Sequence, residues 1–437
     1  MAGLSRLLSF LALFLTFASA VTVKSTKYWN ITNDVEGSVR LNGLAFQQNA
    51  LASFGDYQYV AFYKTASGYG KHYVNLGRRR VAPTLGDWQY ITFSDYEQTT
   101  LDEHNTISLG ISGDGKIHLS FDHHDVPLNY RVSNTGIAKT VPSTWSASDF
   151  GPVQHSLPGS TGPWTPLTYP RFERIPNGDL LMEFRIGQSG SGDSWIHRYS
   201  STSGQWSNVG KYLQGEDNNA YINGITSLND KLYVSWTVRE TPDASTNHDF
   251  YFAVSEDNGR TWKDTSGKSV TKPITPSTPG IKVYTIPQNS QIINQEAQCA
   301  DSKGRFHSLM RDNSSGVPTF YHYLRTPAGI FSKTPISPTP GLSTPPYLAY
   351  RGKIAANGDN LFAIIPDQPK MTITIWSATA AGSFKDWKKL GDISNAAGEP
   401  LVDEERLRQH NVLSLFVRQG GPFGQRKVQV WDYELQA

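Results

Sequence analysis

A turn followed by an alternating strand recurs along this chain, and that recurrence narrows the possible folds more than any other feature. The unit reads GDYQYVAFYK from Gly55, DGKIHLSFDHH from Asp114 and NGDLLMEFR from Asn177. It returns as NDKLYVSWTVR from Asn229, KGRFHSLMRD from Lys303, GDNLFAIIPD from Gly358 and NVLSLFVRQ from Asn411, which makes seven copies roughly fifty to seventy residues apart. Each copy is followed by another aromatic-rich strand, such as KHYVNL, LNYRVS or KVQVWDY, and Trp88, Trp145, Trp206, Trp262 and Trp387 recur near the ends of the units. Units of three to four strands at this spacing have the size of propeller blades. They use the whole of 21–437 and leave no linker for a second domain. The expected fold is all-β, a single seven-bladed β-propeller catalytic domain. The strand around Val21 to Lys27 is expected to pair into the last blade and close the ring, which removes free edges.

Residues 1–20, MAGLSRLLSFLALFLTFASA, read as a secretory signal rather than as fold: one Arg precedes an apolar run, and Ala18-Ser19-Ala20 is a small-residue cleavage site. The run is too short for a membrane anchor and no later segment approaches one. The sequons Asn30-Ile31-Thr32 and Asn313-Ser314-Ser315 agree with export. The single cysteine, Cys299, rules out an internal disulfide framework and reads as a small buried apolar residue. With a net charge of +2 and no basic run beyond Arg78-Arg79-Arg80, nucleic acid is not an expected partner. Ser255-Glu256-Asp257-Asn258-Gly259-Arg260-Thr261-Trp262 fits the Asp-box, S-x-D-x-G-x-T-W, a structural turn that says nothing about chemistry. Ser201 to Trp206 and Ser377 to Trp387 are degenerate relatives.

Two of the repeated hairpins carry reactive side chains at their open ends. In HNTISLGISGDGKIHLSFDHH, His104 and His124 each lie ten residues from Asp114, the centre of the Gly113-Asp114-Gly115 turn. In TYPRFERIPNGDLLMEFR, Tyr169 and Arg185 each lie eight residues from Asn177. Two imidazoles would face each other across one ladder, and a tyrosine and a fixed cation across the next. Period-two alternation puts Asp122 and His124 on one side of the strand and His123 on the other, which makes His124 the active histidine unless a bulge at the strand end re-aims the pair. The strand ends as a set, Asp122, His123, His124, Arg185, Arg239, Arg311, Asp367 and Arg418, are dominated by cations although the chain is nearly neutral, so the groove is expected to take an anionic ligand. Arg239 and Arg311 are candidate substrate contacts, with Asn105 beside His104 and Asn247 in the Asn247-His248-Asp249 strand start. Adjacent residues point apart, so Asp122, His123 and His124 make no metal site. No cofactor is required, and a structural cation is left open.

These residues carry a family resemblance. His104-Asn105, the DHH at 122–124, TYPRF at 168–172, NGDLLMEFR at 177–185, the Gly/Ser loop at 187–193 and the Asp-box resemble the BNR-repeat polysaccharide lyases, a group that includes ulvan lyases and fungal L-rhamnose-α-1,4-D-glucuronate lyases. The match covers roughly residues 100 to 262. The resemblance implies a site of two histidines, a tyrosine and an arginine, which fall on His104, His124, Tyr169 and Arg185. It implies β-elimination at a 4-linked glucuronate in an acidic plant or algal polysaccharide, by a secreted monomer. Removing H5, alpha to a carboxylate, calls for a base, for which His124 is suited, and for a cation on the carboxylate, for which Arg185 with His104 is suited. Tyr169 would protonate O4 of the departing sugar. H5 and O4 lie on one face of a D-glucuronate, so Tyr169 could also fill both roles, and the sequence leaves the two versions open. Two other classes compete: an Asp-box glycoside hydrolase of the sialidase type, which needs three arginines and a Tyr/Glu pair, and a non-catalytic carbohydrate-binding propeller, which needs no paired hairpin ends.

Overall fold

Six of the seven repeated turns reverse the chain directly between antiparallel strands, as period-two sequence with Gly, Asn or Asp at the reversal dictates. The computed structural model describes residues 21–37, 39–66, 68–313, 315–336 and 350–436; the expected signal segment and Ser314 of the second sequon lie outside them. Hairpins form from Leu51–Phe54 with Tyr57–Thr65, Ile107–Ile111 with Ile117–Phe121, and Leu167–Arg174 with Leu180–Gln188. They continue with Asn219–Leu228 and Lys231–Arg239, Ala297–Ala300 and Phe306–Asp312, and Lys353–Asn357 and Asn360–Asp367. The unit at Asn411 differs. A short helix, Glu404–His410, stands between Leu401–Val402 and Val412–Arg418, and Asn411 ends it in the left-handed region (φ 54°).

Among the described residues the strands make four four-stranded sheets, one of three strands and one of ten. The ten-stranded sheet is joined at its middle by a parallel pairing of a single residue pair, Gly192 with Asn219. The first strand of each hairpin packs beside the first strand of the next in chain order, and Leu401–Val402 comes back beside Leu51–Phe54. Closure is by the chain ends: Thr22–Asn33 pairs antiparallel with Lys427–Gln436, a longer strand than the sequence reading places there.

Inward-facing aliphatic and aromatic residues fill the space between sheets. Trp262 of the Asp-box is fully buried and stacks on Tyr212 at 5.1 Å. The box ties down its turn with the Gly259 N–H on Ser255 Oγ (2.8 Å) and with Asp257 accepting from the Thr261 N–H (2.8 Å) and hydroxyl (2.7 Å). The relative at 377–387 uses the same bonds in another order, with Asp386 accepting from the Thr379 N–H and hydroxyl. Cys299 is buried and unpaired, as its reading requires.

Two features aim the fold at one place. The turns of the two chemically marked hairpins touch, with the Gly113 N–H on the Gly178 carbonyl at 2.6 Å. A Cβ on Gly113 would lie 2.6 Å from Gly178 Cα, so this contact needs glycine. Joined at their closed ends, the hairpins hold their open ends side by side. In addition, residues 44–49 run between the first strands of several hairpins. The Gln48 side chain bonds the Ile225 backbone in both directions (2.6 and 3.2 Å), the Phe172 N–H reaches Gln48 O, and Ala45 N–H donates to Glu399 (2.7 Å). This segment carries Phe46 under the open ends.

Burial also stores pH sensitivity. Burial pushes His118 and His123 down to about 3 and His197 to about 4. These folded values lie below the ordinary imidazole value of about 6.5. The contribution is therefore fully present above about pH 6.5 and is lost as pH falls toward the folded values, because the unfolded chain takes up protons that the folded chain refuses. The urea midpoint should be clearly lower at about pH 5 than at about pH 7.5; equal midpoints would contradict buried neutral histidines.

Candidate active site

The ladder of the first hairpin ends at Ile107 opposite Phe121, and the register continued by three residues puts His104 against His124. Their rings stack there, centroids 3.8 Å apart at 24°. Asp122 and Asp125 adopt positive φ (64° and 56°), so the chain leaves the strand at 122 and swings His123 and His124 apart. His123 is fully buried and accepts the Asn129 N–H at its Nε2 (2.8 Å), whereas His124 keeps 34% of its side chain exposed. Asp122 is drawn away from His124 to take the Tyr96 hydroxyl at 2.5 Å. His124, not His123, reaches the partly exposed position beside His104, and a bend at the strand end, not simple alternation, puts it there.

Asp102 organises the pair, and sequence reasoning missed it. One oxygen meets Nδ1 of His104 at 2.5 Å and the other meets Nδ1 of His124 at 2.6 Å. Burial alone would raise its pKa, but the hydrogen bonds from the two histidines outweigh it and hold the carboxyl well below the usual carboxylate range. An ionised carboxylate only accepts, so both Nδ1 atoms carry a proton toward Asp102 and each ring turns its Nε2 away from it. Burial lowers the His104 pKa, against the pull of Asp102 and with the help of His124 and Arg185, so His104 stays neutral at neutral pH. Asp102→Asn should lower kcat on the order of tenfold or more by breaking this tautomer control, with little change in KM. An equal loss in kcat/KM and thermal stability would point instead to a folding defect. The clue available in sequence was the two-residue spacing Asp102-Glu103-His104.

Tyr169 enters the site because its strand is irregular. Leu180 pairs with Arg174 and Glu183 with Arg171, but Arg185 pairs with Thr168. One extra residue sits at Tyr169-Pro170, and Tyr169 takes φ 59°. Arg185 is thus opposite Thr168 rather than Tyr169, a correction to the symmetric register. The bulge turns the Tyr169 ring onto Phe46 (4.9 Å, edge-on) and to 5.7 Å from His104, and the Arg185 guanidinium lies 5.0 Å from its centroid. Burial, with Tyr221 adding to it and Arg185, Arg351 and Arg239 opposing, pushes the Tyr169 hydroxyl up to about 12. It is a protonated group at neutral pH, suited to giving a proton.

Arg185 lies in the floor, 4% exposed, with one Nη on Asp125 (2.5 Å) and on Thr168 Oγ1 (2.9 Å). Gly192 makes room for it, since a Cβ there would fall 2.8 Å from Arg185 Cδ. Arg239 stands over Tyr221 at 4.7 Å, fixed by Asn247 Oδ1 (2.9 Å) and Asn294 Oδ1 (2.7 Å), and it also meets Ser189 of the Gly/Ser loop (3.4 Å). Arg239→Ala should raise KM several-fold with kcat nearly unchanged, because it removes a partly exposed cation beside the site; steady-state kinetics on an acidic polysaccharide decide it.

Other expected contacts are placed differently. Asn247 is 1% exposed and spends its amide on Arg239 and on the Ile292 carbonyl (3.1 Å), so it positions Arg239 rather than meeting a ligand. Arg311 is 1% exposed inside the wall, its backbone N–H on the Glu296 carboxylate, and it does not line an open groove. Arg418 is 4% exposed and paired with Asp34 (2.7 Å), and Asp367 pairs with Lys370 (2.7 Å). The cationic rim reduces to Arg185, Arg239 and Arg351, whose guanidinium lies 5.4 Å from the Phe46 ring. Arg351, Phe46 and Tyr221 come from segments with no motif of their own, and Asp125 follows the Asp122-His123-His124 run unmarked, so only the fold reveals them. Asn105 stays beside the pair, 5% exposed, its Nδ2 on Thr100 Oγ1 (2.5 Å). Asp102, His104 and His124 each offer one ligand atom within 4.8 Å of the others and could hold an ion.

The arrangement resembles known proteins along most of its length. Two ulvan lyases (long isoform) match, from Alteromonas sp. (strain LOR) at 24% identity over 72% of this chain, and from Pseudoalteromonas sp. (strain PLSV) at 25% over 64%. The chain spans about a third of the length of these relatives, 36% and 34%. The solved structure of the polysaccharide lyase Uly1 superposes with a TM-score of 0.72 at 17% identity, over 94% of this chain and 99% of that one. A PL25 ulvan lyase bound to -[GlcA(1-4)Rha3S]- gives 0.66 at 14%, over 91% and 94%. These likenesses agree on the all-β fold. The model of the BNR repeat-containing family matches residues 57–338, well over half of the sequence, and the chain belongs to that family.

Proposed function

We propose that this protein is a secreted polysaccharide lyase built as a seven-bladed β-propeller. It would cleave a 4-linked glucuronate by β-elimination, releasing terminal L-rhamnose from rhamnose-α-1,4-glucuronate side chains and leaving a 4,5-unsaturated uronate. The blade count is supported by the single-pair junction at Gly192 and Asn219, which divides the ten-stranded sheet into units of four and six strands, each built on one repeated hairpin. One observation carries the chemistry: a carboxylate-oriented pair of histidines stacked 3.8 Å apart, with a protonated tyrosine 5.7 Å from one of them and an arginine under that tyrosine. His124 Nε2 takes H5, and the electrons form the C4=C5 double bond as the C4–O4 bond breaks. Tyr169 returns a proton to O4. Arg185 stabilises charge on the substrate carboxylate, which grows as the proton leaves; a neutral His104, its Nδ1 proton on Asp102, has only an acceptor at Nε2, so its part is to hold Asp102 and His124 in place. The names of the relatives, ulvan lyases acting on acidic polysaccharide, support the same reaction class.

Incubation with glucuronate-bearing polysaccharides tests this directly. A lyase produces an ultraviolet-absorbing unsaturated uronate. Saturated sugars alone would mean a hydrolase, and unchanged polymer that is retained by the protein would mean a binding module.

A further inference from the structure

The closing strand, Thr22–Asn33, is the longest of the described strands and the outermost of its sheet, paired with Lys427–Gln436 on one side only. Its other edge offers backbone donors and acceptors to any strand that approaches, a hazard that charged side chains usually blunt. Lys24 and Lys27 stand in the first half of the strand, but the run Tyr28-Trp29-Asn30-Ile31-Thr32 in the second half carries no charge. An uncharged aromatic run on a free edge is a template for self-association. This run holds the acceptor sequon Asn30-Ile31-Thr32.

Side chains two residues apart share a face of a strand, so Tyr28 and Asn30 lie together, opposite Trp431 and Gln429 of the partner strand. Trp29 points to the other face, where the Arg79 guanidinium covers it at 4.0 Å. The Tyr28 ring, 53% exposed, stacks on Trp431 with centroids 4.6 Å apart at 21°. Trp431 lies 6.4 Å from the buried Tyr433 at 20°, so an aromatic shelf runs from the core out to solvent beside Asn30. Trp431 Nε1 donates to Gln429 Oε1 (2.9 Å), and Gln429 Nε2 donates to Asn30 Oδ1 (2.8 Å). These bonds hold the Asn30 amide by its carbonyl oxygen and leave Nδ2, the atom that carries a glycan, outside the chain of donors.

We propose that Asn30 is N-glycosylated and that the first sugar lies on the Tyr28–Trp431 shelf, so that the glycan covers the free edge of the closing strand. The proposal rests on the secreted reading, since this modification belongs to the secretory pathway. Asn30 Nδ2 bonds to C1 of an N-acetylglucosamine and loses one proton to the medium. The C1–O bond to a polyprenyl pyrophosphate breaks, and the pyrophosphate leaves with the electron pair. Transfer takes place on the extended chain, and folding then sets where the sugar rests. The axial C–H bonds of the ring give it an apolar face with positive hydrogens, which matches the negative face of an aromatic ring. The sugars beyond it are bulky and hydrated, and they keep a second strand from the edge.

The full chain, secreted from a yeast, supplies the test. Mass spectrometry of the peptide that holds Asn30, before and after endoglycosidase H, reads occupancy. Wild type should be occupied and should unfold on the order of fivefold more slowly than Thr32→Ala, which keeps Asn30 but lacks the sequon. Trimming to one N-acetylglucosamine should preserve that difference, because the first sugar makes the contact. Tyr28→Ala should stay glycosylated and lose it, so Tyr28→Ala and Thr32→Ala should be strongly non-additive. Light scattering should show Thr32→Ala associating at concentrations where the glycosylated protein stays dispersed. An unoccupied Asn30 in the secreted protein, or additive effects of the two substitutions, would overturn the proposal while secretion stands. If nothing reaches the medium, the secreted reading fails; the same comparisons on a chain with a yeast leader in place of residues 1–20 then decide the site alone.

Discussion

His124→Ala is expected to lower kcat by at least ~100-fold while the fold survives, a typical lower bound for removing a general base. The residue lies beyond the ladder, a third exposed, and its one strong contact is the Nδ1 bond to Asp102. Circular dichroism and the urea midpoint should therefore match wild type. The informative companion is Tyr169→Phe, which deletes the hydroxyl but keeps the ring against Phe46. With the Tyr169 hydroxyl pushed up to about 12, the phenolate is scarce at neutral pH, which favours the tyrosine as acid and the histidine as base. If Tyr169 did both jobs, Tyr169→Phe would be dead and His124→Gln would keep substantial activity. Near-wild-type turnover of His124→Gln would sink the histidine assignment.

Arg185→Lys should be nearly as damaging as Arg185→Ala, each lowering kcat/KM by at least ~100-fold, the usual scale for losing a group that stabilises developing oxyanion charge. Charge alone does not preserve this site. The guanidinium divides its contacts between Asp125, Thr168 and the face of Tyr169, and an ammonium cannot hold that set in one plane. It would also leave Asp125 poorly paired in the floor. The same geometry makes Gly192 important, because a side chain there collides with the Arg185 stem. Retention of most activity by Arg185→Lys, measured by the rate of unsaturated product, would mean that another cation, Arg239 or Arg351, holds the carboxylate.

Much of this protein is legible in its sequence for a physical reason. Strand alternation and turn residues are local: Asp114 and Asn177 mark their turns, and counting outward from Asp114 already opposes His104 and His124. The Asp-box and the buried state of Cys299 are likewise decided by a few neighbouring residues. Counting fails where the backbone leaves regular geometry. The extra residue at Tyr169-Pro170 shifts Arg185 onto Thr168, and positive φ at Asp122 re-aims the two histidines after it. Alternation also cannot distinguish a strand end at the site from one committed to the wall: Arg185 and Arg418 are equally buried, and only their partners, the Tyr169 ring and Asp34, separate them. What only the tertiary structure decided is the company each group keeps. Asp102 lies two residues from His104 but 22 from His124, Phe46 arrives on a segment threaded between sheets, and Arg351 comes from far along the chain. Charge, burial and tautomer depend on distances through space, and those are set by the closure of the sheets on one another.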